Sequence, residues 1–365
     1  MRIVVIGSGV TGASAAYELA RQGADTVLVD AAHEGGATAA GAGIVCPWSG
    51  REEEPLALAG AADYPRLLAA LAEDGEPEVG HRRVGALLLP PPGEFESARK
   101  RVRDRAADHP HAGAVSVLDA AEAAALFPPL RPLGESAALH LAGAARLDGR
   151  LLRAALRRAG RRHGLRTLEG GARIETGGGR VRGVRVGGEL LGADAVIAAT
   201  GAWSPALLDP LGVPVRVTPQ RGQIVHLRLP GTETGGWPVV LPGTGHYLLA
   251  FDDSRVVAGA TREDGSGFDH RVTAGGLAEV LGQALAVAPG LADATHVETR
   301  VGFRPTGPDG LPLLGTVPSV GGLVVANGLG SEGLTAGPYA GHVAARLALG
   351  HPAPLDLTRY DPSRG

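Results

Sequence analysis

Apolar residues in this chain follow two different periods. Near the start, Ile3-Val4-Val5-Ile6 is an unbroken apolar run, the pattern of a strand covered on both faces. Gly7-Ser8-Gly9-Val10-Thr11-Gly12 follows, and then a helical pattern in which Ala13, Ala15, Ala16, Leu19 and Ala20 mark the buried side and Gly23 the stop. A second apolar run, Val27-Leu28-Val29, ends on Asp30. Strand, glycine turn, helix and strand in this order predict a parallel βαβ unit. Downstream, helical spacing marks 55–75, 119–126 and 148–163, and strand patterns mark 84–89, 173–175, 181–186 and 195–199. After Pro214 apolar and polar positions alternate, at 223–227, 246–250 and 255–258, which predicts an antiparallel layer closed by a helix over 274–288. The end of the chain returns to the first style, with a strand at 322–326, glycines at 328, 330 and 333, and a helix over 337–349. The pattern is that of an α/β protein with a parallel sheet and a second, mainly antiparallel sheet.

The glycine turn carries chemistry. Gly7 suits the tight turn, Gly9 lets a pyrophosphate approach the backbone, and Gly12 lets helix and strand pack closely. Unpaired N–H groups and the positive dipole end at the helix N-terminus favour an anion there. Asp30, at the end of the second strand, suits a carboxylate that bonds ribose hydroxyls, and a carboxylate at that place disfavours a 2′-phosphate. Further on, the small-residue run 35–46 can lie close to a flat ligand, and the strand ending in Thr200-Gly201 offers a second contact with a dinucleotide.

Composition narrows the function classes. At 365 residues the chain is long enough for two domains. A net charge of −3 argues against a nucleic-acid or membrane-surface partner. The single cysteine, Cys46, rules out an intramolecular disulfide and a multi-cysteine metal site, and reads as an inert small hydrophobe. No secretory signal and no apolar run long enough to span a bilayer are evident, so a cytoplasmic protein without membrane insertion is expected. Lys100 is the only lysine, which leaves no lysine for the neighbourhood of a cofactor. The charged run 99–105 around it reads as a solvated helix face, and Pro90-Pro91-Pro92-Gly93 as a turn. No Ser-His-Asp set, carboxylate pair or metal box stands out.

Four separated motifs together resemble one family. They are Gly7 to Gly12 with Asp30; Ala199-Thr200-Gly201-Ala202-Trp203-Ser204; Pro219-Gln220-Arg221-Gly222-Gln223; and Gly302-Phe303-Arg304-Pro305 with Asp309-Gly310-Leu311-Pro312-Leu313-Leu314-Gly315. In their order and spacing the chain is similar to flavoproteins of the D-amino acid oxidase superfamily, nearest in pattern to glycine oxidases and D-amino acid dehydrogenases. The resemblance implies a Rossmann-like FAD-binding domain of the GR2 type, assembled from 1–80, 143–216 and 300–365, with a mainly antiparallel substrate-binding domain inserted as 81–142 and 217–299. It implies noncovalent FAD held by Gly7, Gly9, Val10, Thr11, Gly12, Asp30, Ala31, Thr38, Ala39, Ala40, Gly43, Ile44, Ala172, Thr200, Gly201, Trp203, Arg304, Ser331, Glu332, Gly333, Leu334 and Thr335. Residues 331–335 would approach the carbonyl side of the flavin ring, and main chain near 171–173 the adenine.

For the substrate, the resemblance implies that Arg304 pairs with an amino-acid carboxylate and that Tyr247 donates a second hydrogen bond to it. Each has an ordinary structural alternative: a structural ion pair for Arg304, and packing within the sheet for Tyr247. Arg221 reads as the brace of a loop, and alternation sends His246 to the face opposite Tyr247. The implied reaction is hydride transfer from the α-carbon of glycine, a D-amino acid or an N-substituted glycine, giving an imine that hydrolyses to an oxo acid. Oxygen or another electron acceptor would complete the cycle. Two departures from the family bear on this. Ser331 stands where glycine oxidases carry an arginine or other large residue and Glu332 adds a carboxylate, and Arg255-Val256-Val257-Ala258 holds no oxygen-activating lysine. A dehydrogenase with a non-oxygen acceptor, a biosynthetic oxidase of a larger specialised amine, and a flavin-binding subunit without turnover of its own stay open, as does a homo-oligomer.

Overall fold

The structure, a computed structural model, describes residues 1–91, 93–133 and 137–364. The expected turn at 90–93 includes Pro92, which lies outside the described residues.

Strand Arg2–Ile6 runs parallel to Asp25–Asp30 on one side and to Ala195–Ala198 on the other. The six-stranded sheet continues outward to Arg166–Glu169 at one edge and, through Leu323–Asn327, to Leu313–Thr316 at the other. Only the last pairing is antiparallel. Because successive side chains point to opposite faces, the first strand contributes to two cores. Ile3 and Val5 pack with Ala15, Ala16 and Leu19 of helix Val10–Arg21 and with Ala340, Val343 and Ala344 of helix Gly333–Ala348. Val4 and Ile6 pack on the other face against Ile174, Val181 and Val184. Those three residues belong to an antiparallel meander, Ala172–Gly177, Arg180–Val186 and Glu189–Gly192. Both faces are thereby covered, which is why the strand reads as a continuous apolar run.

A second sheet of eight strands lies alongside. Its order is Thr295–Thr306, Thr218–Arg228, Arg255–Gly259, Tyr247–Ala250, Val239–Leu241, Ala86–Leu88, Ala138–Leu141 and Val115–Leu118. All of its pairings are antiparallel except that of Val239–Leu241 with Ala86–Leu88. The two sheets meet along the segment 35–44. Phe303 donates its N–H to the Gly35 carbonyl at 2.9 Å, and a Cβ at Gly302 would stand 2.6 Å from the Ala40 Cβ. No helix among the described residues is long and apolar enough to cross a membrane.

Three local expectations are revised. The last helix begins at Gly333, not at Gly337, after a single 3₁₀ turn over Gly330–Glu332. The charged run is helical, Phe95–Asp108, but is not solvated throughout. Arg105 is only 7% exposed and donates to the carbonyls of Trp48 and Gly50, tying that loop down. Strands at 115–118, 138–141, 166–169 and 313–316 also form where the hydropathy pattern is too short or too broken by polar residues to mark them.

Candidate active site

The glycine turn sits where the first parallel strand meets its helix. Gly7 adopts φ +98°, and a Cβ there would meet the Ala199 carbonyl oxygen at 2.3 Å. A Cβ at Gly12 would fall 1.9 Å from the Gly7 carbonyl oxygen, so any side chain at either position collides with backbone. Gly9 is less hemmed in, since a Cβ there would meet only Thr38 Oγ1, at 3.4 Å. Thr38 Oγ1 accepts from the Val10 N–H at 2.9 Å and so ties the small-residue segment to the helix start. Asp30 accepts 2.6 Å hydrogen bonds from the Ser8 and Ala32 N–H groups. Burial opposes its ionisation, but these donors, with the Arg153 cation, hold its carboxyl below the usual carboxylate range.

From this turn a cavity of about 680 Å³ runs between the two sheets. Most of the residues singled out above line it: Gly7, Gly9, Val10, Thr11, Asp30, Ala31, Thr38, Ala40, Gly43, Ile44, Ala172, Thr200, Gly201, Trp203, Tyr247, Arg304, Ser331, Gly333 and Leu334. Four do not. Gly12 lies behind the turn as a packing position. Ala39 turns away, its carbonyl accepting from Arg150 Nε at 2.9 Å. Thr335 donates its hydroxyl to the Ile44 carbonyl at 3.1 Å and steadies the loop instead of the cavity. Glu332 points into the protein, where burial pushes its carboxyl up and Thr335 and Glu54 are its neighbours.

The far end of the cavity is built on the eight-stranded sheet. Gly222 and Gly302 face each other on adjacent strands, and the missing side chain at 222 makes room for Arg304. Arg304 Nη1 donates to the Thr261 carbonyl at 3.0 Å and to Gln220 Oε1 at 3.4 Å, and the guanidinium has no ion pair among the described residues. Burial depresses its pKa, and the Arg262 cation adds to this while Tyr247 opposes it. Burial likewise pushes the Tyr247 hydroxyl up to about 12, so it remains a donor throughout the ordinary pH range. His246 turns the other way, to Glu279 at 3.2 Å. Arg221 is bound to Glu263 and Asp269 and braces that loop. Trp203 stacks on His33 and on Phe268, with ring centroids 4.8 and 5.0 Å away. Trp48 is core, and burial pushes the Cys46 thiol up to about 12.

A family model for FAD-dependent oxidoreductases, DAO, matches residues 2–347. The chain belongs to this family. The DAO-family chain is 49% identical to the crystal structure of iminodiacetate oxidase (IdaA) from Chelativorans sp. BNC1, with a TM-score of 0.95 over 99% of each chain. It is 45% identical to the uncharacterized oxidoreductase YurR of Bacillus subtilis (strain 168), over 99% of this chain and 98% of the relative. Glycine oxidase of Pseudomonas aeruginosa is 32% identical, with the same coverage of 99% and 98%.

The cavity of this DAO-family protein fits the family's cofactor. It is long, it begins at a glycine that leaves backbone exposed, and it passes a carboxylate held ionised by two N–H donors. Its wall also contains Arg157, whose buried Nε has no partner among the described residues. Sequence reasoning missed several lining residues: Arg153, Arg157, Glu169, Arg262 and Asn327. Asn327 donates to the Gly201 carbonyl at 2.7 Å and to Ser204. It ends a buried apolar strand, a place where an amide stands out, and was legible in principle. The others are surface-type residues by sequence, with nothing to set them apart.

Proposed function

We propose that this FAD-dependent oxidoreductase oxidises the C–N bond of a small amino acid, with glycine, N-substituted glycines and D-amino acids as the substrate class. One observation carries the reading. A half-buried arginine without an ionic partner among the described residues, Arg304, and a phenol that keeps its proton, Tyr247, line the same cavity as the dinucleotide turn. A guanidinium fork and a hydroxyl suit a carboxylate. The likeness to an iminodiacetate oxidase and a glycine oxidase supports the same class.

In this reading the turn at Gly7 and Gly9, the first-turn residues Val10 and Thr11, Asp30, and the segment from Thr38 to Ile44 hold the dinucleotide, with Ser331, Gly333 and Leu334 beside the ring. Bound FAD supplies a two-electron acceptor for the α-hydrogen. The protein's part is orientation: Arg304 and Tyr247 anchor the carboxylate and thereby place the neighbouring C–H bond. Loss of hydride from that carbon converts the neutral amine to an iminium ion, the protonated imine, and addition of water then releases an oxo acid and ammonia or an amine, with a proton passing to solvent. No side-chain base is required when the amine enters neutral.

The test is anaerobic absorbance of the holoenzyme on adding glycine, sarcosine, iminodiacetate, D-proline and D-alanine, with dithionite as the positive control. Bleaching of the flavin band by one of these supports the reading, and a flavin that only dithionite reduces overturns it. Peroxide formed in step with oxo acid marks dioxygen as the acceptor. Oxo acid formed with an added dye but without peroxide marks a dehydrogenase.

A further inference from the structure

The substrate end of the cavity carries one cation more than a monocarboxylate needs. Arg262 lines the same cavity as Arg304 and Tyr247. Its Nη1 donates to the Gly245 carbonyl at 2.9 Å. That position is built for it, since a Cβ at 245 would stand 2.7 Å from the same nitrogen. A third glycine repeats the device: a Cβ at Gly259 would fall 2.4 Å from the Tyr247 hydroxyl oxygen. Three polar side chains are therefore seated against three glycines at one end of one cavity.

Among the described residues no carboxylate answers the two arginines. Glu263, next to Arg262 in sequence, is taken by Arg221, Gln223 and Thr261. Asp264 accepts from Gln220, and Asp269 is held by Arg221 and Arg271. Arg304 and Arg262 have only neutral partners among the described residues. Arg304 is half-buried in the cavity and Arg262 is exposed beside it. The two like charges repel each other, and the Arg262 cation adds to the depression of the Arg304 pKa that burial begins. An anion at each relieves that repulsion, whereas one carboxylate leaves a guanidinium unanswered.

We infer that Arg262 binds a second carboxylate, so that the substrate is an amine flanked by two carboxylates. The inference rests on the amino-acid reading of the site and narrows it. Two chemistries place the second carboxylate: an N-carboxymethyl group on a secondary amine, or an acidic side chain on a primary one.

The experiment uses the holoenzyme and two non-oxidisable ligands, thiodiacetate and (methylthio)acetate, titrated by the change in flavin absorbance. The expected result is binding of the diacid roughly 10- to 100-fold tighter than the monoacid, the range for a hydrogen bond to a charged group. Arg262→Leu is expected to collapse that ratio towards one, and Arg262→Lys to keep part of it. Equal affinities in the wild-type protein overturn the inference without any variant, as does a ratio that survives Arg262→Leu. Iminodiacetate compared with D-aspartate and D-glutamate as reductants then separates the N-carboxymethyl source from the side-chain source. If no amine bleaches the flavin but the Arg262-dependent preference for thiodiacetate stands, the oxidation reading fails and the diacid site holds. If sarcosine bleaches as readily as iminodiacetate and no preference exists, the diacid site fails and the oxidation reading holds.

Discussion

Gly222 and Arg304 lie against each other across two adjacent strands: a Cβ at 222 would stand 2.6 Å from both terminal nitrogens of the guanidinium. The strands are paired so that Gly222 faces Gly302 and Arg304 faces Gln220. The arginine thus lies back over the glycine toward the cavity. The colliding atoms are the tip of a flexible side chain, not backbone, so a methyl group here displaces the arginine and leaves the sheet intact. Gly222→Ala is expected to fold and retain flavin while losing affinity for the substrate carboxylate by about 10-fold or more. Flavin content, melting temperature and KM for the reducing amine check this together, and an unchanged KM would sink it.

Arg304→Ala removes the proposed anchor itself. The apparent affinity for an amino acid is expected to fall on the order of 100-fold, with Arg304→Lys recovering only part because a point charge cannot make the forked contact. Tyr247→Phe should cost about 3- to 10-fold, the range of one neutral hydrogen bond. The Tyr247 hydroxyl keeps its proton until about pH 12. The Tyr247→Phe and wild-type pH profiles should therefore have the same alkaline limb up to about pH 10. A limb present only in the wild type would show that Tyr247 ionises within that range.

Asp30 orders the glycine turn through the Ser8 and Ala32 N–H groups and faces the cavity. Asp30→Ala is expected to purify with much less flavin, its FAD dissociation constant raised about 10- to 100-fold, and Asp30→Asn to lie between it and wild type. The ratio of flavin to protein absorbance after gel filtration measures this, and equal ratios in all three proteins would reject it. Gly12→Ala should fail to fold at all, because its Cβ would meet backbone at 1.9 Å.

His226 is 2% exposed and neither ring nitrogen has a partner among the described residues. Burial lowers its pKa from 6.5 to about 4; Arg300, Arg255 and Arg150 add to this and Glu298 opposes it. An unfolded chain takes up the imidazole proton near pH 6.5, the folded one only near pH 4. This group's contribution to stability is therefore complete above the first value and is lost as the pH falls toward the second. At about pH 5 the loss is roughly 2 kcal/mol. In His226→Phe the drop in unfolding free energy between neutral pH and about pH 5 should be smaller than in wild type by that amount. Equal drops would contradict it.

The sequence by itself determined the βαβ start, the need for glycine at 7 and 12, the carboxylate at Asp30 and the family. These are short-range matters. An unbroken apolar run requires cover on both faces, and a turn with no space for a Cβ requires glycine. The tertiary structure decided what those signals could not. It drew Arg105 out of a charged helix face into loop carbonyls, turned Ala39 and Glu332 away from the cavity, and brought Arg153, Arg157 and Asn327 to its wall. It also left Arg262 facing the cavity while Arg221 was neutralised, a distinction made by where Glu263 and Asp269 point. An arginine's function depends on which carboxylates already have partners, and that follows from strand register between positions 27 to 88 residues apart, beyond the reach of any local pattern.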